Sequence, residues 1–136
     1  MSGTSSPDPT AGVHTETPAE ERDGPQYSSL EEWIDDWLAP IALRPSNSRA
    51  AWCASWWAHP EAVSRLGTAW MAWEAAWAEG GTAPSRWWAV DWADHWRALS
   101  DKAGTFNGCS SDGHRDVSPP RPRTPVPERY KAHVQP

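Results

Sequence analysis

Tryptophan recurs at helical spacing through the middle of this chain. Twelve of the 136 residues are Trp, and all twelve lie between Trp33 and Trp96. Most are separated by three or four residues, as in the series Trp70, Trp73 and Trp77. Side chains at such intervals share one face of an α-helix. Because an indole is the largest apolar side chain, a few short helices can enclose a core. The pattern predicts an all-α, Trp-rich bundle.

Caps and breakers divide the Trp-rich region into about four predicted helices. Ser28 or Ser29 begins the first helix, in a Ser-x-x-Glu capping box, and Pro40 ends it. No segment alternates polar and apolar residues over the length of a strand. The other three helices are predicted at residues 48–58, from Pro60 to Glu79, and from Pro84 or Ser85 to Leu99, with Phe106 folding back as a last apolar anchor.

Composition separates a foldable middle from two tails. We predict a disordered acidic tail over residues 1–26, a helical domain over residues 27–106, and a disordered Pro-rich basic tail over residues 107–136. The first tail has five acidic residues and one basic residue, and the last tail has three acidic and five basic residues. Both are poor in large apolar side chains and cannot offset the entropy of ordering.

The chain shows no signal for export or membrane insertion. Its N-terminus lacks a basic start followed by an apolar run, and no apolar stretch is long enough to cross a bilayer. We therefore expect a cytoplasmic protein without a membrane partner. In that compartment Cys53 and Cys109 stay reduced, and a disulfide between them is disfavoured.

Several short motifs occur in a characteristic order between Trp52 and Cys109. This part of the chain resembles an actinobacterial family of domains of unknown function, family 4913. The resemblance implies an actinobacterial source, often on a plasmid, phage or integrative element, and implies no activity. The matching motifs are Trp52-Cys53, Trp56-Trp57, His59, Glu61-Ala62, Arg65-Leu66, Trp70, Ala72-Trp73-Glu74, Trp87-Trp88, Ala93-Asp94-His95 and Gly104-Thr105-Phe106 with Cys109.

Four side chains among the tryptophans are candidate metal ligands: Cys53, His59, His95 and Cys109. Zinc accepts two Cys and two His ligands. However, neither Cys–His pair has the spacing of a zinc finger, so we predict that no metal or other cofactor is bound. The alternative is a zinc-stabilised domain or enzyme that uses these four residues.

Charged side chains on the predicted helices form no recognisable catalytic set. Asp91 and His95 are four residues apart and can pair on a helix surface, as can Glu61 and Arg65. No nucleophile or second base lies at a known spacing from His95. We therefore predict no enzymatic activity and interpret both pairs as structural.

A small domain cannot easily bury twelve indoles, so some should be exposed. Trp52, Trp57 and Trp87 each lie beside or close to another Trp that faces elsewhere, and they are the candidates, with Arg65 and Arg86 alongside. Exposed aromatic clusters mark protein interfaces. The leading hypothesis is a non-enzymatic accessory module of a mobile element that contacts a protein partner or a second copy of itself.

The C-terminal tail supports a different hypothesis. Its five basic residues could contact nucleic acid, although the acidic body argues against a duplex-binding domain. The alternative function is therefore a DNA-associated accessory protein that acts through this tail. The run from Ser118 to Pro127 favours a polyproline II conformation, which we interpret as a stiff spacer.

Overall fold

Three helical stretches dominate the residues that a computed structural model describes, which are 24–43, 51–110 and 113–136. No β-strand occurs in these three ranges, so the predicted all-α class is confirmed. None of the described helices is long and apolar enough to span a bilayer. Helix α1 comprises Leu30–Trp33, a π-helical turn Ile34–Leu38, and Ala39–Ala42. Helix α2 is Pro60–Glu79, and helix α3 comprises Ala83–Arg86, a π-helical turn Trp87–Trp92, and Ala93–Ser100. Short 3₁₀ turns lie at Trp56–Ala58 and Glu128–Val134.

The capping residues at the start of α1 act as the sequence predicts. The Ser29 hydroxyl accepts the backbone N–H of Glu32 at 3.1 Å. The Glu32 carboxylate in turn accepts the backbone N–H of Ser28 at 3.0 Å. The first bond satisfies an N–H group that a helix start leaves without an intrahelical partner, and the second fixes the residue before the cap.

Pro40 does not end α1, which corrects the sequence prediction. The helix continues to Ala42 because a π-helical turn precedes the proline. In that turn the Ala39 N–H donates to the Ile34 carbonyl, five residues back instead of four. The wider turn shifts the hydrogen-bond ladder just where the proline ring would otherwise meet the preceding turn.

The predicted second helix is also wrong over the residues that can be checked. Residues 51–55 form no helix, and only the 3₁₀ turn Trp56–Ala58 is present. Residues 44–50, which include the predicted start, lie outside the described ranges. The Ala51 N–H donates to the Ser100 carbonyl at 3.1 Å, so this segment is bonded to the end of α3. A long-range bond here replaces the local bonds of a helix.

The other predicted boundaries agree with the structure. Helix α2 begins at Pro60, ends at Glu79, and is followed by Gly80 with a φ of 76°. Only glycine adopts that backbone region without strain, which explains why the helix stops there. Helix α3 begins one residue before Pro84 and ends one after Leu99. Phe106 folds back, is fully buried, and donates its N–H to the Leu99 carbonyl.

Indole rings from all three helices meet in the core. Trp37 of α1 lies 5.0 Å from Trp73 of α2 and 5.8 Å from Trp87 of α3, measured between ring centroids. Trp33 also contacts Trp73 and Trp87. The Trp87 indole N–H donates to the Ala69 carbonyl at 2.9 Å. Edge-to-face and tilted pairs at these separations stabilise a core beyond the area they bury.

Of the three tryptophans predicted as candidates for exposure, one is exposed. The Trp57 side chain is 66% exposed, whereas Trp52 is half-buried against Phe106. Trp87 is fully buried, which corrects its place among the interface candidates. The reason is that the π-helical turn directs both Trp87 and Trp92 into the core, where their rings stack.

The structure describes most of the predicted C-terminal tail but little of the predicted N-terminal tail. Residues 1–23 of the acidic tail lie outside the described ranges. Beyond Phe106, the side chains of Cys109 and His114 contact the segment around Cys53 and His59. Contacts of the helical body therefore continue past residue 106, where composition placed its end. Residues 113–136 are exposed.

Replacing a core indole and replacing the exposed one should have very different effects on stability. We expect Trp87→Ala to lower the free energy of unfolding by about 3–5 kcal/mol, because it leaves a large cavity. Trp57→Ala, at an exposed position, should change it by less than about 0.5 kcal/mol. Urea unfolding followed by circular dichroism measures both. Equal losses in the two variants would contradict the described core.

Candidate metal centre

Two cysteines and two histidines converge at one end of α2. Cys53, His59, Cys109 and His114 each direct one ligand atom to a common point, and these four atoms lie within 4.8 Å of one another. Cys53 and His59 are buried, Cys109 is half-buried, and His114 is the most exposed. The cluster joins the loop before α2, the N-cap residue of α2, and the segment after α3.

A tight turn presents the first Cys–His pair. The Ala58 N–H donates to the Ser55 carbonyl, and the His59 N–H donates to the Trp56 carbonyl. His59 then caps α2, with its carbonyl accepting the Val63 N–H at 3.0 Å. Pro60 occupies the first helical position, where its missing N–H has no cost. The chain thus reverses between Cys53 and His59 and brings both side chains to the same side.

The second pair follows a close backbone approach at Gly104. A Cβ atom at Gly104 would overlap the carbonyl oxygen of Ala98, so only glycine allows the chain to turn against the end of α3. Consecutive turns then bond the Asn107 N–H to Gly104 and the Cys109 N–H to Phe106. Gly108, with a φ of 86°, completes the turn that places Cys109 beside His59. The buried Phe106 ring anchors this segment.

The spacing of the ligand atoms fits a tetrahedral metal ion. Cys53 Sγ lies 3.1 Å from His114 Nδ1, and Cys109 Sγ lies 3.5 Å from His59 Nε2 and 3.8 Å from His114 Nδ1. Zinc–sulfur and zinc–nitrogen bonds of usual length place tetrahedral S and N ligands about 3.5 Å apart. The four side chains therefore need only small adjustments to hold a zinc ion.

Backbone N–H groups point at both sulfur atoms. The Arg115 N–H donates to Cys109 Sγ at 3.3 Å, and the Ser55 backbone is hydrogen-bonded to the Cys53 sulfur. Burial raises the pKa of the Cys53 thiol, and the neighbouring Cys109 raises it further, against the lowering effect of Ser55. The Cys53 thiol thus does not ionise easily on its own, whereas a divalent cation would stabilise its thiolate.

The two imidazoles are also arranged as metal ligands. Burial lowers the pKa of His59, and His114 lowers it further, which favours the neutral ring that a metal requires. The His59 ring packs edge-on against Phe106 at 5.1 Å and His114 at 4.9 Å. On the far side of the His114 ring, Nε2 lies 3.6 Å from the Asp116 carboxylate. A carboxylate in that position orients a metal-ligating histidine.

His95, the fourth residue predicted from sequence, is not part of the cluster, and His114 takes its place. Arg65 Nη1 donates to His95 Nδ1 at 3.1 Å, and His95 Nε2 faces the Thr68 hydroxyl at 3.4 Å. Because a guanidinium can only donate, the His95 ring is neutral with its proton on Nε2. Arg65 also forms the predicted ion pair with Glu61 at 2.8 Å. His95 therefore belongs to a surface network between α2 and α3.

The spacing of the Cys and His residues carries a signal for His114. Cys53 and His59 are six residues apart, and Cys109 and His114 are five apart. Two Cys–His pairs of almost equal spacing are a better pattern than one pair plus two distant residues. His114 lies in a segment whose composition predicts disorder, so composition does not point to it as a ligand. Both cysteines are free of disulfides in the structure, as expected.

Comparison with known proteins gives a family and nothing further. The family model described as "Domain of unknown function (DUF4913)" matches residues 27–129. The match includes all four residues of the metal centre and continues beyond them. Neither a curated protein nor a solved structure matches the chain.

The contact between His95 and Arg65 should be visible in a titration. Burial lowers the pKa of His95, and Arg65 lowers it further, against the opposing effect of Asp91 and Asp94. We expect the ring to titrate below 6.5 in NMR spectra of the protein. Arg65→Gln should raise that pKa, whereas Arg86→Gln, at an exposed position on α3, should leave it unchanged.

The same shift has a consequence for stability. As the pH falls below the unfolded value of 6.5, the unfolded chain binds a proton at this position more readily than the folded chain. The free energy of unfolding should therefore fall between that pH and the lower folded-state pKa. His95→Gln should show a weaker fall than the parent protein. Identical pH profiles would contradict the neutral, Arg65-bonded ring.

Proposed function

The chain belongs to the DUF4913 family, and from the geometry of its metal centre we propose that it is a zinc-stabilised, non-enzymatic helical module. Cys53 Sγ, His59 Nε2, Cys109 Sγ and His114 Nδ1 would hold one zinc ion. The observation that carries the proposal is the convergence of these four atoms within 4.8 Å from three separate parts of the chain.

The ligand set favours zinc over other common ions. Thiolate and imidazole are the ligands of structural zinc sites, whereas calcium and magnesium require oxygen ligands. The N–H groups directed at both sulfurs suit thiolates rather than thiols. Burial of Cys53 and His59 limits the access of water to the ion.

A site with four protein ligands supports a structural role. Catalytic zinc ions keep one position open for water or substrate, and a Cys2His2 set fills all four. The expected gain is in stability, because an ion bonded to both Cys53 and His114 closes a loop of 61 residues. It would fix the segment after α3 against the start of α2, where the apolar contacts come mainly from Phe106.

A role in protein–protein contact is supported by the position of Trp57. This side chain is 66% exposed and lies in the turn between Cys53 and His59, so a metal ion would hold it in a fixed orientation. Ordered, exposed aromatic side chains contribute strongly to protein interfaces. We propose that Trp57 contacts a protein partner, with Arg86 exposed on α3 as a second candidate.

Other aspects of the function stay predictions from the sequence. These are a cytoplasmic location, a setting on an actinobacterial mobile element, and nucleic-acid contact through the basic tail. The last would show as binding to DNA that weakens steeply with salt and is lost when residues 107–136 lose their positive charge. Trp57→Ala would leave such binding intact but would weaken a protein complex.

Metal content and stability test the zinc proposal directly. We expect one zinc ion per chain by native mass spectrometry, and a large fall in melting temperature after a chelator removes it. Cys53→Ser and His114→Ala should each lower zinc affinity by more than about a hundredfold, because loss of a direct ligand exceeds loss of a second-shell contact. His95→Gln is the matched control and should keep full occupancy.

Two results would overturn the proposal. One is protein that contains no zinc after purification from zinc-supplemented medium and gains no thermal stability when zinc is added. The other is a His114→Ala variant that binds zinc as tightly as the parent protein. Cobalt substitution gives an independent readout, because tetrahedral Co²⁺ with thiolate ligands has visible absorption that six-coordinate Co²⁺ in water lacks.

A further inference from the structure

An apolar groove lies on the outer side of α2, away from the metal centre. It has a volume of about 450 Å³, and its walls are formed mainly by Trp70, Met71, Ala75 and Ala78 of α2, with Gln26 from the preceding segment. Met71 is 68% exposed. We call this surface the Trp70 groove. Exposed apolar concavities beside an aromatic ring are where extended peptides bind.

Glu74 supplies a fixed negative charge in the Trp70 groove. Its carboxylate accepts the backbone N–H of Gln26 at 2.8 Å and that of Tyr27 at 3.1 Å. It also accepts the Trp70 indole N–H at 2.9 Å. These three bonds hold both the carboxylate and the Trp70 ring in place. The groove therefore combines a positioned aromatic ring with a positioned acid.

A segment of the same chain has the complementary character. Residues 117–127, which we call the proline segment, are exposed and form no regular helix or strand. Its end at Pro127 has φ −63° and ψ 154°, close to polyproline II values. Pro119, Pro122 and Pro125 recur every third residue, so a polyproline II helix would place them along one edge.

The charge and the length of the proline segment also match those of the Trp70 groove. The proline segment has two basic residues, Arg121 and Arg123, and no acidic residue, and neither arginine pairs with any described residue. Helix α2 rises about 12 Å between Trp70 and Ala78. Two prolines three residues apart span about 9 Å in polyproline II. The groove can thus hold one such repeat, with an arginine near Glu74.

Within one chain these two surfaces do not meet. No residue of the proline segment lines the Trp70 groove. The segment begins near His114, beside His59 at the first turn of α2, whereas the groove lies along the second half of α2. Each chain therefore presents both a binding surface and its complement, which permits a reciprocal, two-fold exchange between two copies.

We propose that two copies of this chain associate by exchanging their proline segments, each of which binds in the Trp70 groove of the other copy. The proposal does not depend on the metal ion. A single seated segment buries little surface, whereas a reciprocal exchange doubles the buried area toward the about 1,600 Å² of a stable interface. Moderate affinity that weakens with salt is expected, since Arg121 and Arg123 face an acidic partner.

The first test is the molar mass of the full chain in solution. Sedimentation equilibrium from low to high micromolar concentration should show the mass rising from 15.1 kDa toward twice that value. Met71→Glu, and separately Pro119→Ala with Pro122→Ala and Pro125→Ala, should each weaken association by about tenfold or more. Val90→Glu is the matched control, because Val90 is 55% exposed outside the groove.

A mixing experiment separates this exchange from any other dimer. The triple proline variant keeps its groove, and Met71→Glu keeps its proline segment. Addition of unlabelled Met71→Glu to the ¹⁵N-labelled triple proline variant should shift the Trp70 indole N–H resonance. Addition of a chain that carries both sets of changes should not. Circular dichroism checks that all variants fold.

Three outcomes would overturn the proposal. The parent chain could remain a monomer at all concentrations, which would mean that something else, or nothing, covers the groove. A dimer could persist in Met71→Glu or in the triple proline variant, which would place the interface elsewhere. The Trp70 resonance could fail to shift in the mixture, which would show that the proline segment does not bind there.

Discussion

Contact between indole rings from three different helices holds this structure together. The ring centroid of Trp37 in α1 lies 5.0 Å from that of Trp73 in α2 and 5.8 Å from that of Trp87 in α3. The Trp87 ring also lies 5.8 Å from Trp77, the next tryptophan of α2. Rings of this size fill the space between short helices that smaller residues would leave empty. The π-helical turn of α3 serves the same packing, since it directs both Trp87 and Trp92 into the core. The metal centre and the Trp70 groove both depend on the position of α2 that this packing defines.

Helix α2 links the two features from which a function is proposed. Its first turn starts at His59 and Pro60, beside the other three candidate ligands, and its second half carries Trp70, Met71 and Glu74. One face between these ends packs in the core through Leu66, Ala69 and Trp73. The metal centre and the groove are therefore two ends of one rigid element. A zinc ion would fix the residues just before the proline segment at the start of α2. The proline segment of a second copy would bind along the second half of α2.

The predictions from sequence succeeded where capping and breaking residues set the bounds of a helix, and they failed where distant contacts or a change of helix type set them. The range Pro60–Glu79 followed from a proline at the first helical position and two glycines beyond the last. The predicted helix at residues 48–58 failed because the Ala51 N–H bonds to Ser100, a contact that no local pattern contains. Pro40 was misread because a π-helical turn, which has no clear sequence signature, precedes it. Three of the four candidate ligands followed from residue type alone, and the fourth did not, because composition predicts disorder around His114 and only the folded chain brings it to the cluster.

The amino-acid sequence by itself determined the helical class, the apolar faces and the residue types able to bind a soft metal ion, because these depend on spacing and side-chain chemistry. Tertiary structure alone decided that Trp87 is buried while Trp57 is exposed, since each belongs to a Trp-Trp pair and the two positions differ only in what lies opposite them. It also decided that His114 rather than His95 joins Cys53, His59 and Cys109. A site made from residues 61 positions apart exists only once the chain has folded back, here over the end of α3 at Gly104, where no side chain fits.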